Sequence, residues 1–354
     1  MIDDDTRAAL TALAAHVRDL PAAELYAAPT WRACADAGLT GMPVDARWGG
    51  RSSSVDDAAS ALRAFARGGA PPGLVFGLGA QLWSVTMTIA RFGTDEQRAR
   101  WLPGLCDGTA RGGHAMTEPA TGSDAFGLST TAAEDGDHVV IDGIKTFATN
   151  GPDADLFVVF ATADRSLGWA GISTYVVARR TPGLAVHPLR TAGPTAAPMA
   201  EITFDACRVP VADRLGTAPI GMAIFTAAME LERSLLAAGQ LGLVDARLAA
   251  ARRHDVVAVE RRAAAWIAAR TSDGLVARAA ARLDRGRKAP LESSLAKLST
   301  SELWHDVASL GVDERGAEGM LAASTPDLVD GAAGRIYSGT SELQREMLGR
   351  RLGL

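Results

Sequence analysis

Ala200-Glu-Ile-Thr-Phe-Asp205 alternates without a break: Ile202 and Phe204 fall on one face of an extended segment, and Glu201, Thr203 and Asp205 on the other. Upstream, His138-Val-Val-Ile-Asp142, Leu156 to Phe160, Ile172 to Ala178 and Leu184 to Leu189 are further short β-rich runs. Gly, Pro, Asn and Asp separate them. From about residue 112 the block therefore reads as an antiparallel β domain with one covered face. On either side of it the period changes to that of a helix. Leu10, Leu13, Val17 and Leu20 recur at steps of three and four. Ser54-Val-Asp-Asp opens a second helical run through Leu62 and Phe65. Thr94-Asp-Glu-Gln97 has the form of a capping box, starting a helix over Asp95 to Trp101 that Pro103 is expected to stop. After Pro219 the helical period returns and holds to the end, apart from a loop-like stretch at Ser324-Thr-Pro-Asp327. The expectation is an α+β chain: a helical domain over 1–111, a β domain over 112–216 and a helical bundle over 217–354.

A chain of 354 residues with 47% hydrophobic side chains can bury a large core. Its net charge of −5 speaks against a nucleic-acid partner, which calls for a basic excess. Cys34, Cys106 and Cys207 are scattered and the histidines form no HExxH, so neither a disulfide framework nor a metal site is expected. The acidic start, Met1-Ile-Asp-Asp-Asp5, lacks the form of a signal peptide, and a cytoplasmic location is expected. Residues 70–90 are charge-free and long enough to span a bilayer. Yet they open with Pro71-Pro72-Gly73 and include Gln81, Ser84, Thr86 and Thr88, so a buried helix, and no membrane partner, is the expectation.

Three segments carry chemistry. Ala115-Met-Thr-Glu-Pro-Ala-Thr-Gly-Ser-Asp124 is a turn-rich connection full of hydroxyls and backbone donors. Gly143-Ile-Lys-Thr-Phe-Ala-Thr-Asn-Gly151 is a strand closing in an Asn-Gly turn. Alternation pairs Thr146 with Ala148 and Phe147 with Thr149, an aromatic and a hydroxyl suited to a planar ring. In Arg335-Ile-Tyr-Ser-Gly-Thr-Ser-Glu-Leu-Gln-Arg345 a glycine precedes a hydroxyl-rich helix start, with Ser341 and Gln344 spaced as a capping box. Each segment alone also fits an ordinary loop, hairpin or helix start.

In this order and in an α/β/α frame, the three segments resemble the acyl-CoA dehydrogenase family. That family has a T-E-P-x-x-G-S-D loop, a G-x-K-x-[WFY]-x-[ST]-N-G strand and a C-terminal Y-x-G-T-[SN]-E-x-x-R. The likeness extends to Ala35–Pro43 with Gly49-Gly50, to Phe92-Gly-Thr-Asp-Glu-Gln97 and to Phe204–Pro210. It implies FAD-dependent α,β-dehydrogenation of an acyl thioester, by α-proton abstraction and β-hydride transfer to the flavin. The acyl group would be carried on CoA or a carrier protein. A flavoprotein or oxygen would accept the electrons, and the assembly would be a homodimer or homotetramer. The resemblance places Met116, Thr117, Phe147 and Thr149 against the flavin, Thr340 and Glu342 near the cofactor on the C-terminal lobe, and Ser123 where cofactor and thioester arm meet. Arg233, Tyr337 and Ser338 would face the substrate, and the backbone N–H near Ser338 would help hold the thioester oxygen.

The reaction needs a carboxylate base. In many relatives it directly precedes the C-terminal Gly-Thr, but here that residue is Ser338. In isovaleryl-type and long-chain relatives the glutamate stands before an arginine on the first helix after the β domain. Here Phe225, Met229, Glu232 and Leu236 follow steps of four, three and four, which puts Glu232 on the apolar stripe of that helix. A carboxylate there is costly unless paired or used. Glu232 is thus the expected base, and Glu230, three residues from Arg233, is expected to form a surface ion pair. Two family features that serve the adenylate end of FAD are absent. Ala251-Arg-Arg-His-Asp-Val-Val-Ala-Val-Glu260 replaces R-x-x-F-G-x-x-I-x-x-x-Q, and Ala308-Ser-Leu-Gly-Val-Asp-Glu-Arg315 replaces Q-x-x-G-G-x-G-Y. Arg252, Arg253 or Arg315 could offer charge to a pyrophosphate instead. These departures leave two alternatives: a flavin-free partner subunit of the same fold, and a flavin oxygenase on the same scaffold.

Overall fold

A computed structural model of the chain describes residues 2–217, 219–250, 256–313 and 324–353. The N-terminal part is helical: α1 (Asp4–Arg18), α2 (Ala28–Asp36), α3 (Val55–Arg67), α4 (Pro72–Phe92) and α5 (Asp95–Asp107). Capping boxes open α3 and α5 as their sequences require, Ser54 with Asp57 and Thr94 with Gln97. Pro103 does not stop α5, which runs on to Asp107. Pro103 and Ala99, four residues before it, are both exposed, so water can serve the carbonyl that lacks a proline N–H, while Leu102, Leu105 and Cys106 keep the helix docked on the core. The charge-free stretch is α4, with 89% of its apolar window buried. Its middle, Gln81–Thr86, is a π-helical stretch.

Eight strands follow: β1 (Gly112–Ala115), β2 (Thr131–Asp135), β3 (His138–Thr149), β4 (Leu156–Thr162), β5 (Ile172–Ala178), β6 (Leu184–Leu189), β7 (Met199–Pro210) and β8 (Arg214–Leu215). The sheet is ordered β6-β7-β3-β2-β4-β5-β8, with β1 against β4. It is mixed, not purely antiparallel: β1 pairs parallel with β4, and β2 meets β4 in parallel at Thr131 and Thr162. Residue alternation carries no information about strand direction, so the sequence could not distinguish the two. Nor is only one face covered. Leu156, Val158 and Phe160 of β4 join the helical core, while Phe157, Val159 and Ala161 join a second core on the opposite face.

The C-terminal part comprises α6 (Gly221–Ala250), α7 (Val256–Asp284), α8 (Pro290–Asp313), α9 (Ser324–Gly334) and α10 (Ser341–Arg351). Ser324-Thr-Pro-Asp327, expected as a loop, opens α9, because a proline is tolerated in a helix's first turn. At the centre lies α6, crossing α3 closely at Gly242, where a Cβ would lie 2.4 Å from the Arg63 carbonyl oxygen. Arg63 then pairs with Asp245 at 2.7 Å. Glu230 makes no surface ion pair: it is 4% exposed and accepts a 2.7 Å hydrogen bond from the Ala289 amide. The free amides at the start of α8 attract a carboxylate, which spacing along α6 alone cannot show.

One buried pair ties the β domain together. Lys145 on β3 donates to Glu118 at 2.9 Å and to the Met116 carbonyl at 3.0 Å, with both side chains almost fully enclosed. Glu118 also accepts from the Ser129 amide and hydroxyl, each at 2.6 Å, and from the Thr130 amide at 2.9 Å. Burial alone would raise the Glu118 carboxyl, but the Lys145 ammonium and these donors outweigh it and hold it at about 2. Just beyond Lys145 the register of β3 on β7 slips, and Phe147 adopts φ +55°.

Replacing Lys145 by Met strands a buried carboxylate and is expected to cost about 3–5 kcal/mol in chemical denaturation, with Lys145→Met/Glu118→Gln costing less than the two single changes together. The depressed Glu118 pKa adds stability above its ordinary value of 4.5, and that stability is lost as pH falls toward about 2. Thermal melts over this window are expected to show the loss in the native chain and a flatter profile in Glu118→Gln.

Candidate active site

The site lies where α4, α6 and the turn before α10 meet. Glu232 is 9% exposed, and its two carboxylate oxygens each accept one hydroxyl: Oε1 from Ser338 and Oε2 from Ser84. Ser84 belongs to the π-helical stretch of α4, whose altered register sets which side chains face α6. Ser338 has φ +58°, and its carbonyl accepts from Arg233 Nε at 2.9 Å. Consecutive residues of α6 thus grip the turn twice by their side chains, Glu232 at the Ser338 hydroxyl and Arg233 at the Ser338 carbonyl. Among the described residues, the Ser338 and Gly339 amides make no backbone hydrogen bond. Tyr337 accepts from Gln240 at 2.9 Å, and its ring lies 4.5 Å from that of Phe76.

His114, partly exposed on β1, is within electrostatic reach of Glu232. Its ring is 5.2 Å from Phe160 and 6.3 Å from Phe225, and Phe126 packs edge-on to Phe225 at 5.5 Å. Burial pushes the imidazole pKa down, while the Glu232 charge opposes that shift. Among the described residues, His114 Nε2 is buried with no hydrogen-bond partner.

The expected flavin-side residues gather around β3. Met116 is 4% exposed, and the Thr117 carbonyl accepts from the Thr146 amide at 2.8 Å. Simple alternation does not run through this part of β3. The bulge leaves Phe147 56% exposed while Ala148 and Thr149 are both buried, with Thr149 Oγ1 3.5 Å from Met199 Sδ. An aromatic ring left open beside the Met116–Thr117 segment suits a planar group such as the flavin. Ser123 is exposed in the loop between β1 and β2. Thr340 caps α10, accepting from the Leu343 amide at 3.2 Å, and Glu342 lies exposed in the first turn. The cap is one residue earlier than expected; Ser341 and Gln344 point inward and are fully buried. Arg252, Arg253 and Arg315 lie outside the described residues.

Two members of the constellation escaped sequence reasoning. Ser84 registers there only as a polar residue interrupting an apolar stretch, since a π register leaves no mark in residue type. His114 directly precedes the first motif, but nothing in its spacing points at Glu232.

Family models match almost the whole chain: the acyl-CoA dehydrogenase N-terminal domain over 1–109, its middle domain over 113–207 and its C-terminal domain over 220–353. An L-prolyl-[peptidyl-carrier protein] dehydrogenase of Pseudomonas fluorescens is 34% identical over 93% of this chain and 91% of its own length. The short-chain specific acyl-CoA dehydrogenase of Rattus norvegicus mitochondria is 31% identical over 87% of this chain and 78% of its length. Among solved structures, the prolyl acyl carrier protein oxidase AnaB superposes with a TM-score of 0.92 at 30% identity, covering 100% of both chains. PigA with FAD and proline gives 0.93 at 26% identity, over 100% of this chain and 99% of its own. With sequence models, relatives and fold in agreement, this chain belongs to the acyl-CoA dehydrogenase family.

Proposed function

We propose that the chain is an FAD-dependent dehydrogenase that oxidises the Cα–Cβ bond of an acyl thioester, borne on a carrier protein and amino-acyl in character. The observation that carries the reaction is the Glu232 carboxylate, enclosed and held by two hydroxyls from separate elements. The named activities of the prolyl-carrier relatives, which align over nearly their full length, support the choice of substrate.

Bound FAD supplies the acceptor for the β-hydride. Met116, Thr117, Phe147 and Thr149 would hold its ring, with Ser123, Thr340 and Glu342 making further contacts. The chain's own residues do the rest. Glu232 takes the α-proton, and Ser84 and Ser338 fix its two oxygens so that the reactive lone pair has one orientation. The Ser338 and Gly339 amides are available to the thioester oxygen as negative charge develops there. Arg233 acts through the Ser338 carbonyl, holding those amides in place. Tyr337, tied to Gln240 and packed on Phe76, forms an apolar wall that keeps water from the carboxylate.

Assembly as a homodimer or homotetramer belongs to the same reading. Val259, Trp266 and Ile267 stand 51%, 56% and 61% exposed on α7, an apolar face suited to a second copy.

Anaerobic addition of prolyl-carrier protein is expected to bleach the visible absorption of the purified flavoprotein, and butyryl-CoA to do so far more slowly. Absence of bleaching with every thioester would overturn the reaction; equal bleaching would overturn the substrate choice. Glu232→Gln should retain its flavin yet bleach about 10²–10⁴ times more slowly. Ser84→Ala and Ser338→Ala, which remove one positioning hydroxyl each, should lower kcat about tenfold at undiminished flavin content.

A further inference from the structure

Phe225 and Glu232 lie two turns apart on one face of α6. His114 stacks on the first and is within electrostatic reach of the second. Every ring packed around it is apolar: Phe160, Phe225 and, through Phe225, Phe126. Those rings would accept a phenyl or leucyl side chain, whereas an imidazole leaves a buried nitrogen without a partner among the described residues. Buried polar atoms are nearly always satisfied, so an orphaned one beside the candidate site is a place where a ligand group or a water can bind.

We propose that His114 is a specificity-determining residue: its bare Nε2 accepts a hydrogen bond from an N–H on the acyl group, selecting an amino- or imino-acyl thioester over a hydrocarbon one. Burial lowers the imidazole pKa from its ordinary value, which favours the neutral ring, and a neutral imidazole retains one lone pair to accept with. A primary or secondary α-amino nitrogen keeps at least one N–H in either protonation state, so the match holds across the neutral pH range. In a hydrocarbon acyl group nothing meets the nitrogen, and its desolvation is left uncompensated. The inference rests on the amino-acyl thioester reading above and assigns one residue to reading the acyl group.

Equilibrium binding to the holoenzyme separates the two ideas. The probes are pantetheine amides, in which nitrogen replaces the thioester sulfur: one prolyl, the other cyclopentanecarbonyl, the same ring with carbon in place of N–H. Calorimetry should show the native protein preferring the prolyl amide by about tenfold or more. His114→Phe should abolish the preference, and His114→Gln, which restores a polar atom near the Nε2 position, should recover part of it. His114→Met provides a second apolar replacement if the phenyl ring is not accommodated. No preference in the native protein, or one kept in the apolar variants, would overturn the assignment. A preference lost on removing the imidazole, in a protein that oxidises no prolyl thioester, would uphold His114 and sink the proposed reaction.

Discussion

A single buried ion pair, Lys145 with Glu118, carries the β domain's share of the site. It joins a loop that would otherwise hang from β1 to the strand in the middle of the sheet. Through the Met116 carbonyl and the Ser129 and Thr130 amides, it fixes both ends of that loop. Such pairs add little net stability compared with a well-packed apolar contact, but they tolerate only one geometry. Here the geometry places Thr117 beside Thr146 and turns Phe147 outward at the bulge. The open aromatic ring is thus a consequence of where the lysine must point.

The other half of the site has a different logic. Glu232 sits on a helix whose buried residues are mostly apolar, with Glu230, Ser234 and Gln240 as exceptions, and two hydroxyls from distant parts of the chain converge on it. Ser84 and Ser338 lie 148 and 106 residues away in sequence, so the constellation exists only once α4, α6 and the turn before α10 have packed. Forming the site and closing the helical core are therefore the same event.

What the sequence disclosed divides along physical lines. Periodicity located the strands and helices because burial acts on every second, or every third and fourth, residue, and it marked Glu232 as a carboxylate on an apolar stripe. Features that depend on a partner element stayed hidden. The direction of β1, the bulge at Phe147, the continuation of α5 through Pro103 and the capping role of Glu230 all answer to neighbours distant in sequence. The cap of α10 moved by one residue because Ser341 and Gln344 are drawn inward, leaving Thr340 to meet the free amides. Ser84 and His114 were invisible for the same reason, since each owes its role to what lies across the core.

Contact between the Ser338 hydroxyl and Glu232 limits where a second carboxylate could stand. A residue whose short side chain already touches the carboxylate occupies the space that a carboxylate at position 338 would also enter. Two anions at that separation could not both stay ionised, so one would have to hold a proton. An ionised carboxylate can therefore stand on the helix or on the turn, but not on both at once. A serine at position 338 avoids that competition and offers the single carboxylate a hydroxyl donor instead.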